Sequence, residues 1–178
     1  MIMLDLRDLS AFSSATRALL TTCSEAASVM LWKFHTPPAG HGSWQVREGL
    51  AFLEDPIKVV ALWDAPATDV LQSHGNEKDA TEYGAYAVAI ALADHLGFKV
   101  LGRTHQGSGT DWLMIRKGEP ANDYYKLEVS GISRINTQKP EARLAEKTTQ
   151  GRGGDWKRPG LAVVARFEDL RVLSEGWA

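Results

Sequence analysis

"FKVLGRTHQGSGTDWLMIRKGEPANDYYKLEVSGI", residues 98–132, decides the fold of this chain. Three runs within it, at 98–104, 111–117 and 124–132, are rich in β-branched and aromatic residues and predict three β-strands. The segments "HQGSGT" and "GEPAND" between them are typical of turns. Short turns of this kind allow the three strands to pair as antiparallel neighbours.

Two of these strands carry a carboxylate within an apolar run. Asp111 opens the second strand, and Glu128 lies in the middle of the third. Successive strand side chains point to opposite faces, so Lys126, Glu128 and Ser130 share one face of the third strand. Between antiparallel neighbours Asp111 can approach Glu128, whereas a carboxyl separation above about 8 Å would exclude a shared metal ion.

A helix is predicted before the strands, over residues 79–96, with a start near Pro66 as an open alternative. Asp79 and Glu82 have the spacing of a capping box, in which the glutamate bonds back to the first turn. Glu82 also shares a helix face with small apolar residues, and a carboxylate on such a face needs a partner or a metal. Glu82 is therefore either a capping residue or a third carboxylate directed at the sheet.

The chain after the three strands returns to a helix and then to a strand. Residues 139–150 predict a helix with Pro140 at its first position, and residues 161–167 predict a fourth strand. The closing residues 168–177 predict a short strand or a return loop. The order from residue 79 is helix, three strands, helix and strand, which indicates an α/β fold.

An N-terminal layer is predicted to pack on this core. Residues 11–35 show the 3/4 spacing of a long amphipathic helix, with Ser10 as a plausible N-cap. Residues 43–49 and 57–63 predict a small antiparallel pair of strands, a β-hairpin, joined through "LAFLEDP". We expect a single domain over residues 1–178, with residues 1–65 as the added helix and strand layer.

The composition excludes several classes of protein. The 178 residues are 44% hydrophobic and 24% charged, which is ordinary for a globular domain. The single cysteine, Cys23, excludes an internal disulfide framework and a cysteine-based zinc site. The start of the chain has no signal pattern, and no apolar run reaches the roughly 18 residues of a membrane span. A cytoplasmic protein without a membrane partner is expected.

The charge is unevenly distributed around a small net value of -2. Residues 134–158 carry seven basic against three acidic side chains, so this segment either attracts phosphates or forms a solvated helix face and loop. Trp156, within that segment, either stacks on nucleobases or anchors the loop. Three carboxylates at Glu82, Asp111 and Glu128 would suit Mg²⁺ or Mn²⁺, which can activate water for phosphodiester hydrolysis.

The order of elements and the three acids resemble the PD-(D/E)XK nuclease superfamily. That family has a restriction-endonuclease-like αβββαβ core with a mixed sheet, and the resemblance covers residues 79–167. It implies that Asp111 and Glu128, with Glu82 from the first core helix, hold a divalent metal in a nuclease that acts on nucleic acid. The segments "DATEYGAYAVAIAL", "GTDWLM" and "YKLEVSGI" are also similar to a group of uncharacterised bacterial proteins.

The chain departs from the family pattern two residues after the glutamate, where Ser130 replaces the lysine of Glu-x-Lys. Serine cannot supply a fixed cation. Lys126 on the same strand face, or Lys147 on the following helix, can take the place of that lysine. The alternative is a catalytically inactive nuclease-like fold that serves as an interaction or regulatory module in a bacterial defence or toxin-related system. A second copy of the chain and an operon-partner protein are then the candidate partners.

Overall fold

The strands of residues 98–132 lie at one end of a sheet that continues into the N-terminal layer. The computed structural model describes residues 1–35, 39–47, 56–105, 108–120, 122–133, 138–154 and 156–178, with backbone alone for 39–47. The elements, in chain order, are β1 (Ile2–Asp5), α1 (Arg17–Phe34), β2 (Ala39–Arg47), β3 (Ile57–Leu62), α2 (Thr68–Ser73), α3 (Glu77–His95), β4 (Phe98–Arg103), β5 (Trp112–Arg116), β6 (Tyr124–Ile132), α4 (Pro140–Arg152), β7 (Gly160–Arg166) and β8 (Arg171–Trp177).

The strands form one mixed sheet in the order β1-β3-β2-β8-β7-β6-β5-β4. Strand β5 is antiparallel to both β4 and β6, which is the arrangement in which Asp111 can approach Glu128. Strands β6 and β7 are parallel, and α4 is the crossover between them. Strand β8 is antiparallel to β7 and parallel to β2, so it connects the core strands to the N-terminal pair. The predicted α/β class, mixed sheet and antiparallel N-terminal pair are confirmed.

Helices cover both faces of the sheet around β6. Helices α1 and α3 pack against each other, and α3 lies on β6, where a Cβ on Gly131 would come 2.3 Å from the Thr81 carbonyl oxygen. Helix α4 lies on the opposite face, where a Cβ on Gly151 would come 3.1 Å from Glu128 Cγ. Side chains from both faces of β6 are therefore buried, which places Lys126 and Glu128 in the interior.

Several boundaries differ from the sequence predictions. Helix α1 begins at Arg17 with Thr16 as its N-cap, so the choice of Ser10 was wrong. Helix α3 begins at Glu77 with Asn76 as its N-cap, so the capping box of Asp79 and Glu82 was also wrong.

The remaining differences concern whole elements. The segment after Pro66 forms the separate short helix α2 rather than an early start of α3. Strand β1 was not predicted, and the closing residues form β8. The predicted connection through "LAFLEDP" lies almost wholly outside the described residues. None of the described helices combines the length and apolar content needed to cross a membrane.

Candidate functional site

Asp111 and Glu128 meet at the side chain of Lys147. The register pairs Trp112 with Leu127, so the preceding Asp111 stands opposite Glu128 across the β5–β6 pair. Lys147 Nζ, from α4, donates to Asp111 Oδ2 at 3.1 Å and to Glu128 Oε2 at 3.3 Å. These two carboxylate oxygens are thus no farther apart than the sum of the two distances, which is below the limit of about 8 Å for sharing an ion.

The three charged side chains become more exposed from the sheet towards the surface. The side chain of Glu128 is 0% exposed, that of Lys147 is 11% exposed and that of Asp111 is 21% exposed. Burial, together with the negative charge of Asp111, raises the pKa of Glu128 to about 7, although the Lys147 ammonium lowers it. The carboxyl group of Glu128 is therefore poised to change its charge near neutral pH.

One oxygen of this glutamate is left without a partner. Glu128 Oε1 is buried and accepts no hydrogen bond within the described parts of the chain. The nearby Thr110 hydroxyl is directed instead at the carbonyl oxygens of Trp112 and Leu127, at 3.2 and 3.4 Å. A buried oxygen of this kind is destabilising unless another donor or a cation reaches it.

Asp111 is held in place by the main chain of β6. The backbone N–H of Val129 donates to Asp111 Oδ2 at 2.9 Å, so this oxygen receives hydrogen bonds from both Val129 and Lys147. The side chain of Asp111 consequently bridges from the entrance of β5 to the middle of β6. This arrangement fixes one carboxylate at the mouth of the site while the other lies beneath it.

Lys126 is buried, and its hydrogen bonds go to the end of α4 rather than to the two acids. Its Nζ donates to the carbonyl oxygens of Gly151 and Gly153, at 3.1 and 3.2 Å, where α4 ends. Burial lowers the pKa of Lys126, and the bonds to the helix carbonyls compensate for its desolvation. Of the two lysines considered from the sequence, Lys147 contacts the acids and Lys126 stabilises the end of the helix. Neither lysine is an exposed surface residue.

Ser130, two residues after Glu128, is contacted by an arginine from α4. Arg143 Nε donates to Ser130 Oγ at 2.8 Å, and its Nη1 donates to Glu146 Oε2 at 2.9 Å. Arg143 precedes Lys147 by one helical turn, so both cations project from the same face of α4 towards β6. The sequence analysis did not single out Arg143, although its i, i+4 spacing from Lys147 was the available signal.

Glu82 does not join the other two carboxylates. Its side chain is 50% exposed, and its Oε1 accepts a hydrogen bond from the Tyr86 hydroxyl at 2.6 Å. The expectation of a carboxylate buried on an apolar helix face was therefore wrong. Across the described ranges, no three His, Cys, Asp or Glu side chains form a group that could hold a metal ion. The predicted three-carboxylate site of Glu82, Asp111 and Glu128 is not assembled in this structure.

Asp111 opens onto a cleft of about 270 Å³ between α3, α4 and the sheet, and Glu128 lies buried beneath it. It is lined by three cations, two acids and the backbone of β6; the charged members are Lys78, Glu82, Asp111, Arg143 and Lys147. Tyr86 and Ser130 lie between them. Three cations against two carboxylates give the cleft a small excess of positive charge, which suits an anionic ligand such as a phosphate.

Two of the three predicted metal ligands lie close enough together to hold a divalent metal ion. Mg²⁺ is commonly held by one or two carboxylates together with waters and substrate phosphates. Asp111 and Glu128 supply two such carboxylates, and the unpartnered Glu128 Oε1 is a donor atom that a cation would satisfy. The donor set therefore fits Mg²⁺ or Mn²⁺ through Asp111 and Glu128, with Glu82 outside it.

Comparison with known proteins gives this chain no family assignment. No protein-family model, curated protein or solved structure matches it. The function is therefore inferred from the side chains that meet at Asp111, Glu128 and Lys147.

Proposed function

We propose that the chain is a metal-dependent, nuclease-like protein that hydrolyses phosphodiester bonds of nucleic acid. The observation that carries this proposal is the contact of Lys147 with both Asp111 and Glu128 at the mouth of a positively charged cleft. Two carboxylates and a lysine are the groups needed to bind a divalent metal beside a phosphate and to stabilise its charge.

The order of elements supports the same proposal. Helix α3, strands β4, β5 and β6, helix α4 and strand β7 follow one another in the αβββαβ order of restriction-endonuclease-like cores. Asp111 immediately precedes the second of these strands, and Glu128 lies in the third. We propose that the cation of the Glu-x-Lys motif has moved from β6 to α4, where Lys147 supplies it.

Each residue then has a distinct part in binding and catalysis. Asp111 and Glu128 would hold the divalent metal, which supplies Lewis-acid stabilisation of phosphate charge and a more acidic bound water. Lys147 holds a phosphate oxygen or the attacking water against Asp111, from within the cleft. Arg143 and Lys78 flank this point and attract the neighbouring phosphates. Lys126 holds the end of α4 against the sheet and so helps to position Lys147.

A cleavage assay with Mg²⁺ or Mn²⁺ tests the proposal. Single- and double-stranded DNA and RNA are incubated with the wild-type chain, with Asp111→Asn and with Lys147→Met. We expect each variant to lose about 100-fold or more in rate, the range typical of removing a group that assists the reaction. Asp123→Asn, which changes an exposed aspartate before β6, is the matched control and should cleave like the wild type. Equal cleavage by the wild type and Asp111→Asn would sink the proposal.

One observation favours a second candidate, a catalytically inactive module of the same fold. Lys147 forms ion pairs with both acids, and Ser130 stands where the resemblance would place a lysine. An inactive module should show no Mg²⁺-dependent cleavage, whether or not Mg²⁺ raises its unfolding temperature. Mg²⁺-dependent cleavage that is lost in Asp111→Asn would exclude it.

A further inference from the structure

A second cleft begins where the first one ends, at Asp111. Its near part, about 630 Å³ in volume, is bordered by Asp111 and Gln150. Its far part, about 580 Å³, is bordered by Leu113 and Trp156. Arg103 and His105 line both parts, so they form one continuous groove. Each part by itself has a volume in the range of about 300–1,000 Å³ that is usual for small-molecule sites.

Two glycines lie in the wall of the far part of the groove. Gly109 and Gly154 have φ values of +73° and +78°, in the left-handed region that favours glycine. A Cβ on Gly109 would lie 4.0 Å from the Cα of Gly154, so the backbones of the two loops approach each other at these glycines. Both glycines and Trp156 line the far part of the groove.

The Trp156 ring lies beside Lys126, the lysine that also binds the end of α4. Lys126 Nζ lies 5.9 Å from the centroid of the Trp156 ring, and Arg158 Cζ lies 5.8 Å from it. Such cation–π contacts hold the half-buried ring in place at a small entropic cost. Because Lys126 also binds the carbonyls at the end of α4, the ring is set at a fixed offset from Lys147.

We infer that this groove binds an unpaired nucleobase, stacked at Trp156, and that the substrate is single-stranded or locally unpaired nucleic acid. Leu113 and Trp156 provide the apolar and aromatic surface on which a base stacks, and His105 and Gln150 provide polar groups for its edge. A base within a duplex has both faces covered by its neighbours, so it cannot enter. The inference rests on the proposed function for the position of the backbone, which would run past Asp111.

Binding in the absence of metal tests the inference without requiring cleavage. Fluorescein-labelled DNA and RNA oligonucleotides, single-stranded and as duplexes of the same sequence, are titrated with the full chain in EDTA and followed by anisotropy. We expect single strands of DNA, RNA or both to bind more tightly than the duplexes. Trp156→Ala should weaken single-strand binding by about 5- to 150-fold, the range for one lost base stack, and should leave duplex binding unchanged.

Two variants keep the test decisive. Trp156→Phe retains an aromatic face and should recover most of the affinity, whereas a loss caused by misfolding would not be recovered. Trp32→Ala removes another partly exposed tryptophan, on α1, and should bind like the wild type. Equal affinity for single strands and duplexes, or an unchanged affinity in Trp156→Ala, overturns the inference.

The outcomes separate this inference from the proposed hydrolysis. If single strands bind through Trp156 but are never cut with Mg²⁺ or Mn²⁺, the base site stands and the hydrolysis fails. If duplexes are cut in an Asp111-dependent manner and Trp156→Ala changes nothing, the hydrolysis stands and the base site fails.

Discussion

Replacing Lys147 with methionine removes the ammonium that lies between Asp111 and Glu128 while preserving most of the side-chain volume. The two acids then face each other without the cation, and one of them is fully buried. We expect a large loss of stability, because an unpaired buried charge is far more destabilising than the loss of a surface ion pair.

The distances give the size of the effect. At 3.1 and 3.3 Å, and with an effective dielectric constant of about 20, each contact of Lys147 with an acid is worth about 5 kcal/mol of attraction. Desolvation of the lysine offsets much of this energy, and removing one partner of a buried pair usually costs about 3–5 kcal/mol. Because Lys147 and Asp111 are partly exposed, we expect Lys147→Met to lose about 3 kcal/mol near pH 8.

The loss should become smaller as the pH falls. The folded-state pKa of Glu128, about 7, lies above its ordinary value of 4.5, so protonation of this group favours the folded chain. The contribution of this protonation to folding stability is thus complete below pH 4.5 and is lost as the pH rises through 7. The Lys147 ammonium lowers the pKa of Glu128, so the Lys147→Met change raises this pKa further. Near pH 6 Glu128 is then neutral, and no ammonium is needed to balance its charge. We expect about half of the penalty to disappear between about pH 8 and pH 6.

Urea unfolding at both pH values measures the effect, in the wild type, Lys147→Met and the double variant Glu128→Gln/Lys147→Met. The double variant should recover stability near pH 8 and show little dependence on pH, since the buried charge is gone. Lys78→Met, an exposed helical lysine, is the matched control and should change stability by no more than about 0.5 kcal/mol. A Lys147→Met penalty that is below about 1 kcal/mol near pH 8, or that grows at lower pH, would show that Lys147 does not compensate a buried charge on Glu128.

Three further predictions concern the scaffold. Gly151→Ala should destabilise the chain by about 1–3 kcal/mol despite its gain in helix propensity, because the new Cβ would lie 2.3 Å from the Trp177 ring. Gly102→Ala, with no atom within 4 Å, should be near neutral in the same urea titration. Burial raises the pKa of the Cys23 thiol to about 12, so Ellman's reagent should label it only after unfolding; rapid labelling of the native chain would contradict this. Asn76→Ala should cost about 1 kcal/mol, because Asn76 caps α3; an unchanged urea midpoint would exclude that role.

The core strands were predictable because turn residues bound them on both sides. The predicted strand 124–132 coincides with β6, since "GEPAND" ends the preceding run and the apolar pattern stops after Ile132. The start of α1 was not predictable in the same way. Phe12 fits the helical stripe and packs against the core, but the chain before Thr16 is not helical, and Ser13 forms a bridge with Val100 instead. Tertiary contacts thus override local periodicity at this end.

Part of the candidate site was also within reach of the sequence. Strand alternation and an antiparallel register are local rules, and they are sufficient to place Asp111 near Glu128. The face of a helix is harder to assign when nearly all of it is buried. Residues 84–93 of α3 are buried around the whole circumference, so the pattern could not show that Glu82 lies on the exposed side. The choice between lysines depends on how α4 sits on the sheet, which neither strand spacing nor helix spacing determines.

The two lysines divide two tasks between them. A cation on β6 two residues after Glu128 would be fixed by the strand itself, whereas Lys147 reaches the acids from a helix and depends on the position of that helix. Lys126 fixes the position of that helix, because its Nζ binds the carbonyls of Gly151 and Gly153 and holds α4 to the strand that carries Glu128. The position of Lys147 beside the acids thus depends on the buried lysine at position 126. If Lys147 is the working cation, the buried Lys126 is the element that allows a helix to present it.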